Sequence, residues 1–330
     1  MRQCYNSASV AAGSNRQPSK NNKSGASSVA GSGSGSAALW QQVRERSAHA
    51  LRVGALEPIE SDCQQLEDSG IPFSLRVARG LERKSTVATA RTLEQPSGQD
   101  GQRPNPFLPY DPDLFVSAVG DSHVCLLNKF MVLEQHALIV TREFESQESL
   151  LTSANLAALS RCLRETDGFG FYNAGADAGA SQAHKHLQLV PTPLGDGGRV
   201  PIERLLNLPE LTSRSAGVTS AAALPFANAL IRVDDCVGGG TAEADGELHS
   251  RYRSLLVAMH CDQPPLRPYN LLMTREWMLL VPRRCESSIG IEVNSLGLAG
   301  ALFVRDPEQL AALRAHGPLQ LLRDVTLPPA

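Results

Sequence analysis

Short apolar runs separated by polar, glycine- and proline-punctuated segments begin at Ala37, whereas residues 1–36 carry almost no apolar pattern. Over 37–53, Leu39, Val43 and Leu51 recur between charged residues and predict a helix. Pro104, Pro106, Pro109 and Pro112 then interrupt the pattern and predict an extended connector over 104–113. The β-branched and apolar runs at 124–129 and 136–141 predict strands. Ser153 can cap a helix that carries Leu156, Leu159 and Leu163 on one face and stops near Gly168. Strands follow near 170–173 and 185–191. A second series predicts a strand near 226–233, a helix near 247–259, strands near 268–274 and 277–282, and closing helices over 307–323. Two strands, a helix and two more strands describe an antiparallel-rich α+β unit, not a doubly wound sheet. The second series echoes the first, so two related halves are expected, 37–192 and 193–330.

Composition narrows the class of protein. The chain has 330 residues, 42% hydrophobic and 20% charged, with a net charge of −3. No general basic field argues for nucleic acid or an anionic membrane, and no apolar run approaches a membrane span. The seven cysteines are scattered without a Cys-x-x-Cys pair, which points to reduced thiols in a cytoplasmic setting. Residues 1–36, ending in Gly31-Ser32-Gly33-Ser34-Gly35-Ser36, read as a disordered Ser/Gly-rich extension. Their lack of acidic residues also leaves organellar targeting as the alternative.

The candidate chemistry lies between Asn173 and Pro191. Residues 173–182 form a small-residue loop between two predicted strands. Gly175 and Gly179, lacking β-carbons, let backbone amides approach an anion, and Ser181 and Gln182 add side-chain donors. Alone, such a loop is also an ordinary hairpin connection. His184-Lys185-His186-Leu187-Gln188-Leu189 follows. Period-2 alternation places His184, His186 and Gln188 on one face and sends Leu187 and Leu189 to the core. Lys185 then belongs to the opposite face or to solvent. A histidine pair so placed admits three readings: a surface pair, part of a metal site lacking a matching nearby ligand, or a nucleophile with neighbours that orient it. The adjoining loop favours the third, because Gln188 and the loop donors suit phosphoryl oxygens.

The run Phe171-Tyr172-Asn173 … Gly179-Ala180-Ser181-Gln182-Ala183-His184-Lys185-His186-Leu187-Gln188 resembles the ATP adenylyltransferase, or diadenosine tetraphosphate phosphorylase, family. That family sits in the histidine triad superfamily, in the branch of galactose-1-phosphate uridylyltransferase. Asn105-Pro106-Phe107-Leu108-Pro109, Leu126-Leu127-Asn128-Lys129-Phe130 with His136, Tyr269-Asn270-Leu271-Leu272-Met273-Thr274 and Trp277-Met278 resemble further parts of it.

The resemblance implies a histidine-triad-like fold and a nucleotidyltransferase that cleaves diadenosine tetraphosphate with phosphate to ADP and ATP. His186 would be the nucleophile that becomes adenylylated, and His184 would orient it. Ser181, Gln182 and Gln188 would hold α-phosphate oxygens, with Gly179 and Ala180 also at the substrate. Asn128, Lys129 and Asn173 would contact nucleotide or phosphate, with Lys84 toward the polyphosphate. Asn270, Leu271, Leu272, Met273, Thr274 and Met278 would lie near the nucleotide. A divalent cation, magnesium or manganese, would arrive with the polyphosphate, and a protein-bound metal or organic cofactor is not expected. The expected partners are small molecules, with no nucleic acid or membrane, and the expected state is a monomer.

Gln188 stands where the hydrolases of the superfamily carry a third histidine. Glutamine cannot relay a proton at neutral pH, which favours an anionic acceptor over water. Two rivals stay open: a sugar-phosphate acceptor, and a nucleotide sensor without turnover. Elsewhere, His123 beside Asp121 reads as an exposed loop histidine, and Arg283-Arg284 as either a phosphate contact or a solvated pair. Trp277 reads as core, and 143–148 as a polar turn.

Overall fold

Antiparallel pairing dominates the architecture. The computed structural model describes residues 38–78, 105–195, 198–210, 217–237 and 239–329. The expected 1–36 extension and Lys84 lie outside the described residues. Strands β1 (Ser61–Asp68) and β2 (Ile71–Ala78) form a hairpin. Next come β3 (Phe115–Val119), β4 (His123–Leu127), β5 (Ala137–Thr141), β6 (Gly168–Ala174) and β7 (His186–Pro191). The later chain supplies β8 (Ala229–Arg232), β9 (Tyr269–Met273), β10 (Trp277–Pro282) and β11 (Ala301–Val304). An eight-stranded sheet runs β8-β10-β9-β6-β7-β5-β4-β3, every pair antiparallel. The β6–β9 pair joins strands from the two halves of the chain into this one sheet.

Helices cover one face. α1 (Ala38–Val53) buries Leu39, Val43 and Ala50. Leu51, expected on that stripe, is exposed, because a further residue rotates about 100° around the axis from Ala50. α2 (Ser153–Arg164) is capped by Thr152 rather than Ser153: the Thr152 side chain accepts from Asn155 N, and Asn155 Oδ1 accepts from Thr152 N in return. Leu156, Leu159 and Leu163 are buried as the spacing predicts. α3 (Ala242–Ala258) starts earlier than expected, since the Thr241 hydroxyl accepts from Ala244 N and offsets the interruption at Gly246. These helices pack on Leu187, Leu189, Ile139, Tyr172, Leu271, Met273 and Met278.

The other face carries two apolar clusters. Phe169, Phe171, Leu272, Trp277 and Leu279 pack against Phe73 and Leu75 of β2 and against Leu302, Leu321 and Leu322. Val124, Leu126, Leu138 and Val140 pack under Phe107. The small sheet β11-β2-β1, in which β11 runs parallel to β2, is absent from the sequence-based expectation. The closing helical stretch is two helices, α5 (Pro307–His316) and α6 (Pro318–Val325), because Gly317 sits at φ 92° and breaks the run. A short turn of helix, α4 (Ser295–Leu298), starts at the Asn294 cap and borders the site.

Candidate active site

Sheet register aligns a row of polar residues. His186 pairs with Val140, Asn173 with Asn270, and one row along, Gln188 pairs with Leu138 and Phe171, and Phe171 with Leu272. His186, Gln188, Asn173 and Asn270 therefore share the face away from α1–α3. The alternation expected from sequence holds for β7: Leu187 and Leu189 are in the helix-side core. Lys185 is buried, and its Nζ donates to Glu145 Oε2 at 2.9 Å and to the Leu150 carbonyl at 3.0 Å.

The state of His186 follows from one contact. Its Nδ1 lies 2.9 Å from the His184 carbonyl oxygen. A carbonyl only accepts, so Nδ1 carries the proton and Nε2 carries the lone pair. His184 precedes the strand, and its ring is tied at both nitrogens. Nε2–H reaches the Thr141 carbonyl at 2.9 Å, and Nδ1 accepts from Asn105 Nδ2 at 2.9 Å. Burial lowers the His184 pKa, against the opposing effect of backbone contacts to Thr141 and Glu143 and the charge of Glu145. Phe107 borders both rings, T-shaped to His184 at 5.6 Å and tilted to His186 at 5.5 Å between centroids.

A glutamine that the sequence reading assigned to a polar turn anchors the nucleophile's backbone. Gln147 is buried; its Oε1 accepts from His186 N at 2.8 Å, and its Nε2 donates to the Asn173 carbonyl at 2.8 Å. The regular β6–β7 pairing ends at Phe171–Gln188, and the side-chain amide bridges the two strands one step beyond. On the other side of the row, His136 Nε2 lies 2.9 Å from Gln188 Oε1, and Asn128 Nδ2 lies 3.1 Å from His136 Nδ1.

The glycine-containing loop is pinned from below. Gly179 adopts φ 85°, and an added β-carbon there would come within 2.8 Å of Asn294 Cβ. Asn270 Nδ2 donates to the Ala178 carbonyl, to Asn173 Oδ1 and to Ser295 Oγ. Asn173 Oδ1 also accepts from Ser295 N and Oγ. Ser181 is exposed, and Ala180 and Gln182 are half-buried. Arg283 is neither a solvated charge nor open to phosphate. It is buried, and its guanidinium donates to Asn270 Oδ1 and to the carbonyls of Val293, Val325, Cys285 and Glu286. Burial lowers its pKa to about 10.

Several expected positions fall elsewhere. Leu271, Met273 and Met278 point into the helix-side core, because register puts them opposite in parity to Asn270 and Leu272. Leu272 shares the histidine face but is packed in the apolar cluster there. Thr274 is buried at the far hairpin, where its hydroxyl accepts from Glu276 N and Trp277 N. Lys129, next to Asn128, stays partly exposed on the site's border, with its Nζ 3.4 Å from Glu57 Oε1. His123 is buried, not exposed: it contacts Ser122 Oγ and Asn155 Nδ2, and burial lowers its pKa. Trp277 is core as expected, its Nε1 donating to Glu203. Asn105, Phe107, Thr141, Gln147, Ser295 and the His136 contact to Gln188 were not anticipated as parts of the site. Among the described residues there is no group of three His, Cys, Asp or Glu side chains that could hold a metal ion. No helix among them is long and apolar enough to cross a membrane.

The antiparallel sheet presents a histidine in a fixed tautomer beside an amide side chain and a tight loop, and the matches to known families make the chain a nucleotidyltransferase. Residues 32–208 match the family described as the Ap4A phosphorylase N-terminal domain, and residues 222–328 match the ATP adenylyltransferase C-terminal domain. The chain belongs to the Ap4A phosphorylase family. It is 27% identical over 305 residues to diadenosine 5',5'''-P1,P4-tetraphosphate phosphorylase 2 of Saccharomyces cerevisiae, covering 83% of this chain and 90% of that protein. The crystal structure of yeast Ap4A phosphorylase Apa2 is similar in fold, with a TM-score of 0.72 at 24% identity over 89% of this chain and 98% of that one. The same yeast protein in complex with Ap4A gives a TM-score of 0.70 at 25% identity, covering 88% of this chain and 98% of that chain.

Proposed function

We propose that this chain cleaves diadenosine tetraphosphate with inorganic phosphate, yielding ATP and ADP through an adenylyl group carried on His186. Family membership and a similar yeast protein solved with Ap4A support the substrate. The carrying observation is the 2.9 Å contact of His186 Nδ1 with the His184 carbonyl, which leaves Nε2 as the nucleophilic nitrogen.

In the first step the Nε2 lone pair forms a bond to the α-phosphorus, the bond to the bridging oxygen breaks, and ATP departs. The imidazole becomes cationic, and its Nδ1–H stays on the His184 carbonyl, which stabilises that charge. The tied ring of His184 keeps its carbonyl in place. Gln188 supplies an amide donor to a phosphoryl oxygen, and Gly179, Ala180, Ser181 and Gln182 supply loop donors. In the second step a phosphate oxygen attacks the same phosphorus, the P–N bond breaks, and ADP leaves. Phosphate is already anionic and needs no base, whereas water does.

Magnesium or manganese enters as part of the polyphosphate substrate. Asn173 and Asn270 act by holding the loop, through their bonds to each other and to the Ala178 carbonyl. We read the protein as cytoplasmic and monomeric. The scattered cysteines, without a Cys-x-x-Cys pair, support the compartment.

The test is incubation with diadenosine tetraphosphate and magnesium, with and without phosphate, followed by anion-exchange separation. ADP and ATP formed only with phosphate are expected. AMP and ATP formed without phosphate would establish hydrolysis instead. Absence of turnover in both would move the reading to a sugar-phosphate acceptor or a sensor.

A further inference from the structure

An amide side chain presents a donor on one side and an acceptor of nearly the same shape on the other, and only its partners decide which faces a ligand. At Gln188 that partner is a histidine. His136 Nε2 lies 2.9 Å from Gln188 Oε1, and both side chains are buried. The other ring nitrogen, Nδ1, lies 3.1 Å from Asn128 Nδ2. The main chains of the same two residues are also joined, Asn128 N donating to the His136 carbonyl at 2.9 Å. Phe171, whose ring is 6.0 Å from the His136 ring, borders it on the sheet.

The contacts have a direction. The oxygen of Gln188 accepts only, so His136 Nε2 carries the proton and Nδ1 carries a lone pair. That lone pair takes a hydrogen from the Asn128 amide. Donation therefore runs from Asn128 to His136 to Gln188 and occupies the Gln188 oxygen. The NH2 group of Gln188 is the end left to meet an acceptor on the His186 face. Reversed, the same chain would turn the Gln188 oxygen toward an anion, where lone pairs repel.

We infer that His136 is a positioning residue for adenylyl transfer: with Asn128 behind it, it sets the Gln188 amide so that NH2, and not C=O, meets the phosphoryl oxygen of the nucleotide on His186. This rests on the roles of His186 and Gln188 given above. It also gives Asn128 a part in the reaction without contact to the nucleotide, and it explains a buried histidine that has no place in the proton chemistry. The group to be recognised is a phosphoryl oxygen that gains charge in the transition state, so the effect falls on kcat more than on KM.

The test is a double-mutant cycle with a spectroscopic readout. His136→Leu is expected to lower kcat by about 10- to 100-fold with KM changed less than about threefold, since an oriented donor to a developing charge is being lost. In a Gln188→Ala background the same His136→Leu change is expected to cost less than about twofold, because its target is gone. A purely structural role would cost the same in both backgrounds and would overturn the inference. His136→Gln, which keeps an NH donor near the place of Nε2, is expected to recover most of the lost kcat and stands in if the leucine variant does not fold. Independently, 15N imidazole spectra of the wild-type protein should show His136 as the Nε2–H tautomer, and the Nδ1–H tautomer would overturn the proposed direction. If the phosphorolysis test fails for the wild type, the tautomer still reports on the chain from Asn128 to Gln188 separately from the reaction.

Discussion

Replacing Gln147 by Met tests how the nucleophile is held. The Gln147 side chain makes two good contacts, 2.8 Å from His186 N and 2.8 Å to the Asn173 carbonyl, and a longer one of 3.4 Å to the His186 carbonyl. Methionine nearly fills the same volume, so the cavity cost is small. It leaves the His186 N–H and the Asn173 C=O buried without these partners, at about 1–3 kcal/mol each. The expected loss is therefore about 2–6 kcal/mol, a large share of the roughly 5–15 kcal/mol a domain has. Loss of the anchor also lets the His186 backbone shift, and a misplacement of about 1 Å can cost on the order of 100-fold in rate. Urea unfolding at pH 7.5 reads the first effect as a lower midpoint at unchanged slope. Rapid-mixing measurement of ATP release in a single turnover without phosphate reads the second, expected at roughly 10- to 100-fold slower. A methionine variant within about 1 kcal/mol of wild type and within about twofold in the adenylylation rate would refute the anchoring role.

Three further outcomes follow from the same structure. Gly179→Ala forces a β-carbon within 2.8 Å of Asn294 Cβ at φ 85°; it should cost about 1–3 kcal/mol in urea unfolding and raise KM for diadenosine tetraphosphate, and an unchanged KM would contradict the loop's role. His123 has its pKa lowered from 6.5, chiefly by burial, with Glu145 raising it and Lys185 lowering it. The unfolded state then binds more protons, so its contribution to stability is complete above about pH 6.5 and is lost as pH falls from there toward the lower folded value. The drop in urea midpoint between pH 7.5 and pH 5 should be smaller in His123→Gln than in wild type, and equal drops would contradict it. Gln188→His supplies a proton relay beside the intermediate; phosphate-free AMP release should rise, measured by anion exchange, and no rise would count against the role given to glutamine in excluding water.

Much of the site was legible because its main signal is local. Period-2 alternation over His184 to Leu189 separates the polar face from the core without any long-range information, and the structure divides those residues the same way. The helix with Leu156, Leu159 and Leu163 was readable for the same reason, and only its cap moved by one residue, from Ser153 to Thr152. The supporting residues were not readable. Gln147 and Asn105 lie 39 and 79 residues before the histidines they hold, and polar residues in turns carry no pattern that names a distant partner. Met273 and Met278 show the limit within a strand: alternation says that neighbours differ in face, but which face is which depends on the pairing of β9 with β6 and of β10 with β9. His123 read as exposed and Arg283 as either a phosphate contact or a solvated charge, and they are buried because Asn155 and a ring of backbone carbonyls satisfy them. The parallel contact of β11 with β2 joins segments from opposite ends of the chain, beyond the reach of any local pattern.

The most direct measurement is the intact mass of the wild-type protein and of His186→Ala after brief exposure to diadenosine tetraphosphate and magnesium in phosphate-free buffer, with peptide mapping of any label. One adenylyl group on wild type, located on His186, lost on adding phosphate with release of ADP, and absent from the alanine variant is the expected result. A label located on His184 or on a loop residue, or phosphorolysis that persists in His186→Ala, would contradict the assignment of His186 Nε2 as the nucleophile.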